Sequence, residues 1–269
     1  MAYFSATGNT AKIAEVIKEE LVELGAEVHS YDITSPEKRQ NPPDLDPYDA
    51  VLFGFPVHSN RAPRLFREWL QMLNGNGKLC SLFCTYGGFS VESTAFTTKQ
   101  ILDERNFILV SYAEFLGAHT FNLGGWQAVP DRPDKSDFDV AREFALQTSR
   151  RFSGEDDGRI DGFEKPPYSE KELDDFEKFR FMAVTQLPTR GGGDCSMCMK
   201  CEEVCPTGAM NAERGSADGE KCITCLRCVD CCPDGVLQIN DLRPLWPIKL
   251  QMENETEETV NAKQSRIFL

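Results

Sequence analysis

Tyr3-Phe4-Ser5-Ala6-Thr7-Gly8-Asn9-Thr10 decides how this 269-residue chain is read. Tyr3-Phe4 closes a short apolar run that reads as a first strand. Residues 11–24 follow with Ile13, Val16, Ile17, Leu21 and Leu24 on one helical face. The octet therefore joins a strand to a helix. Hydroxyls, a permissive glycine and exposed amides at a helix N-terminus make an anion site. No lysine lies within the loop, so it lacks the Gly-Lys-Ser/Thr ending of a nucleoside triphosphate loop. A neutral, hydroxyl-rich loop suits a phosphate monoester held by dipoles and hydrogen bonds.

Outward from this loop, strand-like and helix-like segments alternate. Residues 28–31, 50–55, 79–84 and 107–116 read as strands, and 63–73, 91–104 and 138–152 as helices. The run Ala50-Val-Leu-Phe-Gly-Phe55 is apolar throughout, as a strand buried on both faces should be. Cys80 and Cys84 share one strand face and read as core. Regular alternation implies a parallel sheet with helices on both faces over residues 1–152.

Between residues 153 and 193 the pattern changes. Gly154-Glu-Asp-Asp-Gly158 and Pro166-Pro167 are breakers, and Thr189-Arg-Gly-Gly-Gly193 reads as a flexible joint. Residues 169–185 read as a helix capped by Ser169, with Leu173, Phe176, Phe179 and Met182 along one side. That apolar face predicts a docked connecting helix whose packing holds the two halves together. Residues 194–240 form a cysteine domain, and 241–269, with Glu253-Asn-Glu-Thr-Glu-Glu258, read as a C-terminal tail.

The cysteine domain repeats one design. The first run is Cys195-x-x-Cys198-x-x-Cys201-x-x-x-Cys205-Pro206, and the second is Cys222-x-x-Cys225-x-x-Cys228-x-x-x-Cys232-Pro233. This is the bacterial two-cluster spacing, in which the fourth cysteine serves the other cluster. One 4Fe–4S cluster then takes Cys195, Cys198, Cys201 and Cys232; the other takes Cys222, Cys225, Cys228 and Cys205. Three cysteines at intervals of three wrap a loop around one cubane, and proline after the fourth ends the loop without needing a donor. A zinc site would use two Cys-x-x-Cys pairs instead. Cys231 is an extra thiol and reads as a spectator.

The net charge of −14 argues against nucleic acid or an anionic membrane as partner. It suits docking onto basic patches of redox partner proteins, and equally suits simple solubility. No run of about 18 apolar residues suggests a membrane span. The start lacks a basic region followed by an apolar run, which predicts a cytoplasmic chain without a signal peptide.

Tyr3 to Thr10 resembles the phosphate loop for flavin mononucleotide (FMN) in flavodoxins. With the cysteine runs, it makes the chain similar to the family of flavodoxin–ferredoxin fusion proteins over nearly its whole length. The resemblance implies an α/β fold: a flavodoxin-like doubly wound parallel sheet of order 2-1-3-4-5, with a small ferredoxin-like α+β domain. It implies FMN and two 4Fe–4S clusters as cofactors. In flavodoxins the ring lies at the C-terminal ends of the third and fourth strands. Here those loops carry Pro56, Val57, His58 and Ser59, and Thr85, Tyr86, Gly87 and Gly88. Tyr86 is the candidate for ring stacking, and Gly87 and Gly88 would let the backbone approach it. His58 is either a flavin contact or a solvated loop histidine; His29 and His119 read as structural. Trp126 either covers the flavin or packs. Only Met1-Ala2 precede Tyr3-Phe4, so the first strand is expected to be longer than written or completed by another segment.

The expected function is electron transfer among FMN, two clusters and external partners, which matches two-electron to one-electron chemistry. The rival is a flavin-dependent reductase of a small substrate with the clusters as a wire. A redox sensor reporting through Cys231 is a third reading. No Gly-x-Gly-x-x-Gly nicotinamide motif is present.

Overall fold

The computed structural model describes residues 1–179 and 184–269. The first half alternates as expected: β1 (Ala2–Tyr3), α1 (Asn9–Glu23), β2 (Tyr31–Asp32), α2 (Pro36–Gln40), β3 (Ala50–Pro56), α3 (Arg64–Leu70), β4 (Leu79–Tyr86), α4 (Glu92–Glu104), β5 (Ile108–Leu116) and α5 (Lys135–Ser153). The five strands pair in parallel in the order β2-β1-β3-β4-β5, the doubly wound flavodoxin-like arrangement. Phe53, Phe55, Leu82, Phe83 and Phe115 are wholly buried. Each such side chain contributes roughly 1.5–3 kcal/mol. Ile13, Ile17 and Phe144 of α1 and α5 cover one face with Leu52, Phe83 and Phe115; Phe66, Trp69 and Leu102 of α3 and α4 join Phe53 and Phe55 in the core of the other. Cys80 and Cys84 lie in that second core, as expected.

Several boundaries move. The strand expected at 28–31 is β2, two residues at Tyr31–Asp32. β1 also has only two residues; just outside it the Met1 carbonyl accepts from Tyr31 N at 2.8 Å and the Phe4 amide donates to Gly54 O at 2.9 Å. Among the described residues no other segment completes it; its partners are β2 and β3 alone.

α6 (Glu170–Phe179) is the connecting helix, opened by Ser169 and Glu172 bonding each other's backbone amide. Its docking differs from the expectation. Leu173 is buried, but Phe176 and Phe179 are 37 % and 54 % exposed, and Met182 lies outside the described residues. The hold comes from charge. Glu170, Asp174 and Glu177, at i, i+4 and i+7 on one helix face, all meet Arg61, and Glu177 also meets Arg67 at 2.7 Å. The helix thus fastens to the flavodoxin-like layer.

β6 (Thr189–Arg190), α7 (Lys200–Glu203), β7 (Met210–Asn211), β8 (Ser216–Ala217), α8 (Arg227–Asp230) and β9 (Leu237–Gln238) build a second, antiparallel sheet of order β7-β8-β6-β9. The stretch expected as a flexible joint therefore begins as an inner strand of that sheet, because Thr189 pairs with both Ser216 and Gln238.

The expected tail folds back as a strap. It comprises α9 (Trp246–Met252), α10 (Glu257–Asn261) and β10 (Arg266–Phe268), and β10 adds antiparallel to β5 as a sixth strand. Val260 is fully buried, Asn261 Oδ1 accepts from Val129 N at 2.7 Å, and Ser265 Oγ accepts from Leu116 N at 3.0 Å. Among the described residues no helix is long and apolar enough to cross a membrane.

Candidate functional site

The loops after β1, β3 and β4 meet at the C-terminal edge of the sheet around a cavity of about 890 Å³. Ser5, Ala6, Thr7, Asn9 and Thr10 line it, with Pro56, Val57, His58, Ser59, Thr85, Tyr86 and Gly87. Gly8 and Gly88 stand off the wall. Gly8 is the left-handed residue (φ 92°) that turns the chain into α1 and supplies no side-chain cap. The positive end of the helix dipole is left to the loop. Gly88 seats the strap: a Cβ there would lie 2.8 Å from Val260 Cγ1, and its carbonyl accepts from Lys263 Nζ at 2.7 Å. Gly87 makes room for the His119 ring, which would meet its Cβ at 2.3 Å.

The loop is braced from several sides. Ser5 Oγ accepts from Ala11 N at 3.1 Å, Ser5 N donates to Thr34 Oγ1 at 2.8 Å, and Asn9 Nδ2 donates to Ala118 O at 3.1 Å. The Thr10 and Thr85 hydroxyls bond at 2.7 Å, tying the first loop to the third. In the second loop, His58 and Arg61 exchange backbone bonds across Ser59 and Asn60, both at positive φ as this tight turn requires. His58 is 9 % exposed and so is no solvated loop histidine. Ser59 Oγ is buried without a partner, a state that costs about 1–3 kcal/mol unless a ligand completes it.

Aromatic rings close the far wall. Burial, reinforced by the Glu114 charge, pushes the Tyr86 phenol up to about 12, so it stays neutral. Trp126 both packs and lines the cavity. Its indole N–H donates to Leu242 O at 3.1 Å, and its ring centroid lies 5.5 Å from that of Trp246. His119 also lines the cavity, and its Nδ1 accepts from Phe121 N at 3.1 Å. Phe89, Asn60 and Gly117 to Thr120 were not anticipated. The rule that placed the second and third loops, extended to the end of β5, would have found residues 117–120. The outer wall, Phe176 and Phe179 of α6 with Ile248 and Met252 of α9, carries no such signal because it is assembled from distant segments.

The eight cysteines gather as four and four across the two runs. Cys195, Cys198, Cys201 and Cys232 line one small recess with Met199, Met210 and Leu237. In the other set, burial and the neighbouring thiols Cys225, Cys222 and Cys205 push the Cys228 thiol up. The backbone repeats every 27 positions: Met197 and Thr224, Met199 and Leu226, and Gly208 and Gly235 all have positive φ. Alternating hand turns successive amides inward, forming the nest that iron–sulfur and phosphate groups occupy. Burial raises the Cys205 thiol, but amides of Thr207, Met210 and Ala209 outweigh it and hold it below its ordinary value. Cys232 is held down likewise, by Leu237, Val236, Asp234 and Gly235 amides against burial. These cradles fit thiolates bound to a cluster. Among the described residues no three His, Cys, Asp or Glu side chains gather closely enough for a single metal ion. Cys231 turns its Sγ toward the Cys228 carbonyl, 3.8 Å away, and lines no part of the recess.

The two sites adjoin. Cys225 belongs to the same buried apolar cluster as Phe4 and Ala6, and Leu226 to that of Tyr86 and Trp126.

An anion loop on a doubly wound sheet, beside paired four-cysteine nests, defines an electron-transfer flavin and iron–sulfur protein. Residues 1–107 match the family model of the flavodoxin domain, and residues 188–265 match that of the 4Fe-4S dicluster domain. The chain joins these two domains, which imply FMN and two 4Fe–4S clusters. Oxidised Flavodoxin 2 from Bacillus cereus is 22% identical over 58% of this chain and 97% of its own, with a TM-score of 0.44. A flavodoxin from the domain Archaea is 14% identical over 57% and 99%, at 0.42. Rubredoxin oxygen:oxidoreductase from the anaerobe Desulfovibrio gigas is 17% identical over 57% of this chain and 35% of its own, also at 0.42. No curated protein matches the chain.

Proposed function

We propose that the chain is a two-way electron carrier in which the cluster of Cys205, Cys222, Cys225 and Cys228 is the flavin's immediate partner, and that of Cys195, Cys198, Cys201 and Cys232 faces external proteins. FMN supplies one- or two-electron chemistry and each cluster one-electron chemistry. The observation that carries this reading is the placement of Cys225 and Leu226 in the apolar clusters that also hold Ala6 and Tyr86. On this reading Ser5 to Thr10 hold the phosphate, Pro56 to Ser59 and Thr85 to Gly87 contact the ring, and Gly88 positions the strap. The chain's part is to hold the phosphate on loop amides, keep the Tyr86 phenol neutral and exclude water with Trp126 and Trp246. At the far end Cys198, Met197 and Met199 are exposed, with exposed Asp194 and Asp234 and the Lys200–Glu203 ion pair around them. That acidic rim suits a redox partner with a basic docking surface.

The test is anaerobic stopped-flow. Flavin reduction after rapid cluster reduction should be first order and independent of protein concentration. A rate that rises in proportion to protein concentration sinks the proposal.

One observation favours the rival reading, reduction of a small substrate at the flavin. The cavity opens past the three loops toward Phe176, Phe179, Ile248 and Met252, which are 37–75 % exposed and apolar. An apolar mouth of this kind admits a flat, uncharged acceptor. Turnover of such acceptors that saturates with concentration, and that Ile248→Asp suppresses at full cofactor content, would decide for it.

A further inference from the structure

The loop Ser5–Thr10 contains no cation, although a phosphate monoester brings two negative charges at neutral pH. Among the described residues, the guanidinium that reaches it comes from the other domain. Arg227 Nη1 donates to the Ser5 carbonyl at 3.1 Å, across 222 positions of chain. Arg227 is half-buried between Cys225 and Cys228, and among the described residues no carboxylate lies within ion-pair distance of it. It does not line the cavity but approaches the loop from the cluster side, close enough to Cys231 to act on its thiol, and among the described residues no carboxylate takes its charge.

A second arginine crosses the same boundary in the opposite direction. Arg39, on α2, donates to the Ile33 and Thr34 carbonyls at 2.7 and 2.6 Å and also to the Pro206 carbonyl, next to Cys205. Thr34 is the residue whose hydroxyl accepts from Ser5 N. Both crossings thus join the phosphate loop and its brace to the surroundings of one cysteine set, that of Cys205, Cys222, Cys225 and Cys228.

We infer that Arg227 is the cation of the phosphate site, lent to the flavin domain by the cluster loop that carries it. This rests on the reading that Ser5 to Thr10 hold the FMN phosphate. One N–H fixes the guanidinium to the loop's first carbonyl, which leaves the loop amides free to turn toward the anion. A positive charge anchored on the loop and partly shielded from water favours the phosphate more than it would in bulk solvent. Arg39 acts differently, holding the cluster loop in place and contributing no charge to the phosphate. Linkage then requires that FMN and an ordered cluster loop strengthen each other equally.

Riboflavin, which has the same ring and no phosphate, separates this from a purely structural clasp. The full-length chain, freed of FMN with both clusters intact, is titrated with FMN and with riboflavin by flavin fluorescence, and iron is assayed in each variant. Arg227→Gln should weaken FMN about tenfold and leave riboflavin unchanged, whereas Arg227→Lys should keep FMN within about threefold of the parent. Arg39→Gln should leave the ratio of the two affinities at its parent value. Equal weakening of both flavins by Arg227→Gln, or no weakening of FMN, overturns the inference. Where the Gln variant fails to hold iron, the Lys variant decides alone, and a tenfold loss of FMN affinity in it overturns the inference. Ser5→Ala tests the underlying reading separately. If it leaves FMN affinity unchanged, the phosphate-loop assignment itself has failed.

Discussion

Arg61 Nε meets Glu177 Oε1 at 2.6 Å across 116 positions of chain, and this contact, with those to Glu170 and Asp174, pins α6 over the cavity mouth. Arg61 is 2 % exposed, but Glu170 and Asp174 keep 70% and 58% of their side-chain surface. Glu177 is only 21% exposed but keeps Arg67 at 2.7 Å, so removing Arg61 leaves no buried carboxylate unpaired. Arg61→Ala should cost about 1–3 kcal/mol locally and leave the sheet intact. Amide exchange in residues 170–179 should accelerate while α1 and α5 keep their protection. Unchanged protection in α6 would show that Leu173 alone holds the helix.

Cys205 sits with Cys222, Cys225 and Cys228, not with the run that precedes it. Cys205→Ala should take iron from about eight to about four per chain and spare the cluster of the first triplet. Iron that stays near eight, with Cys231 also replaced, would show that cross-ligation is wrong.

Glu114 is buried on β5, where desolvation raises its carboxyl above 4.5 despite the opposing hydrogen bond from Arg266. The folded chain therefore binds this proton more readily than the unfolded chain. Its contribution is complete below the unfolded value and is lost as pH rises through the folded one. Glu114→Gln should gain thermal stability relative to the parent as pH rises from below the unfolded carboxyl value to neutrality. A difference between the two that does not change with pH contradicts this sign.

Gly88 has φ of 81°, and a methyl there would strike Val260 of α10. Gly88→Ala should cost about 1–3 kcal/mol. Val260→Ala removes the struck methyl, so the double variant should be more stable than the sum of the single losses by about 0.5 kcal/mol or more. Strict additivity in denaturant titrations would mean that the strap does not rest on Gly88.

Ile13, Ile17 and Leu21 repeat at helical spacing, and residues 50–55 are apolar without a break. Local patterns of this kind state burial directly, so the doubly wound sheet was legible. So was the four-and-four grouping of the cysteines, because the two runs repeat one spacing within a short loop. The strand-to-helix loop Ser5–Thr10 at the cavity was legible for the same reason: its hydroxyls and glycine lie within eight consecutive residues.

The strap, the ion pairs that fasten α6 and the crossing arginines were not legible. Arg61 and Arg227 carry no local pattern that distinguishes them from solvated arginines, and Ser265 to Phe268 is too short for periodicity to speak. Their partners stand more than a hundred positions away. Spacing along the chain encodes chemistry that one loop or helix can complete by itself. The charge brought to Ser5, the wall around Trp126 and the sixth strand on β5 exist only once tertiary packing has set distant segments side by side.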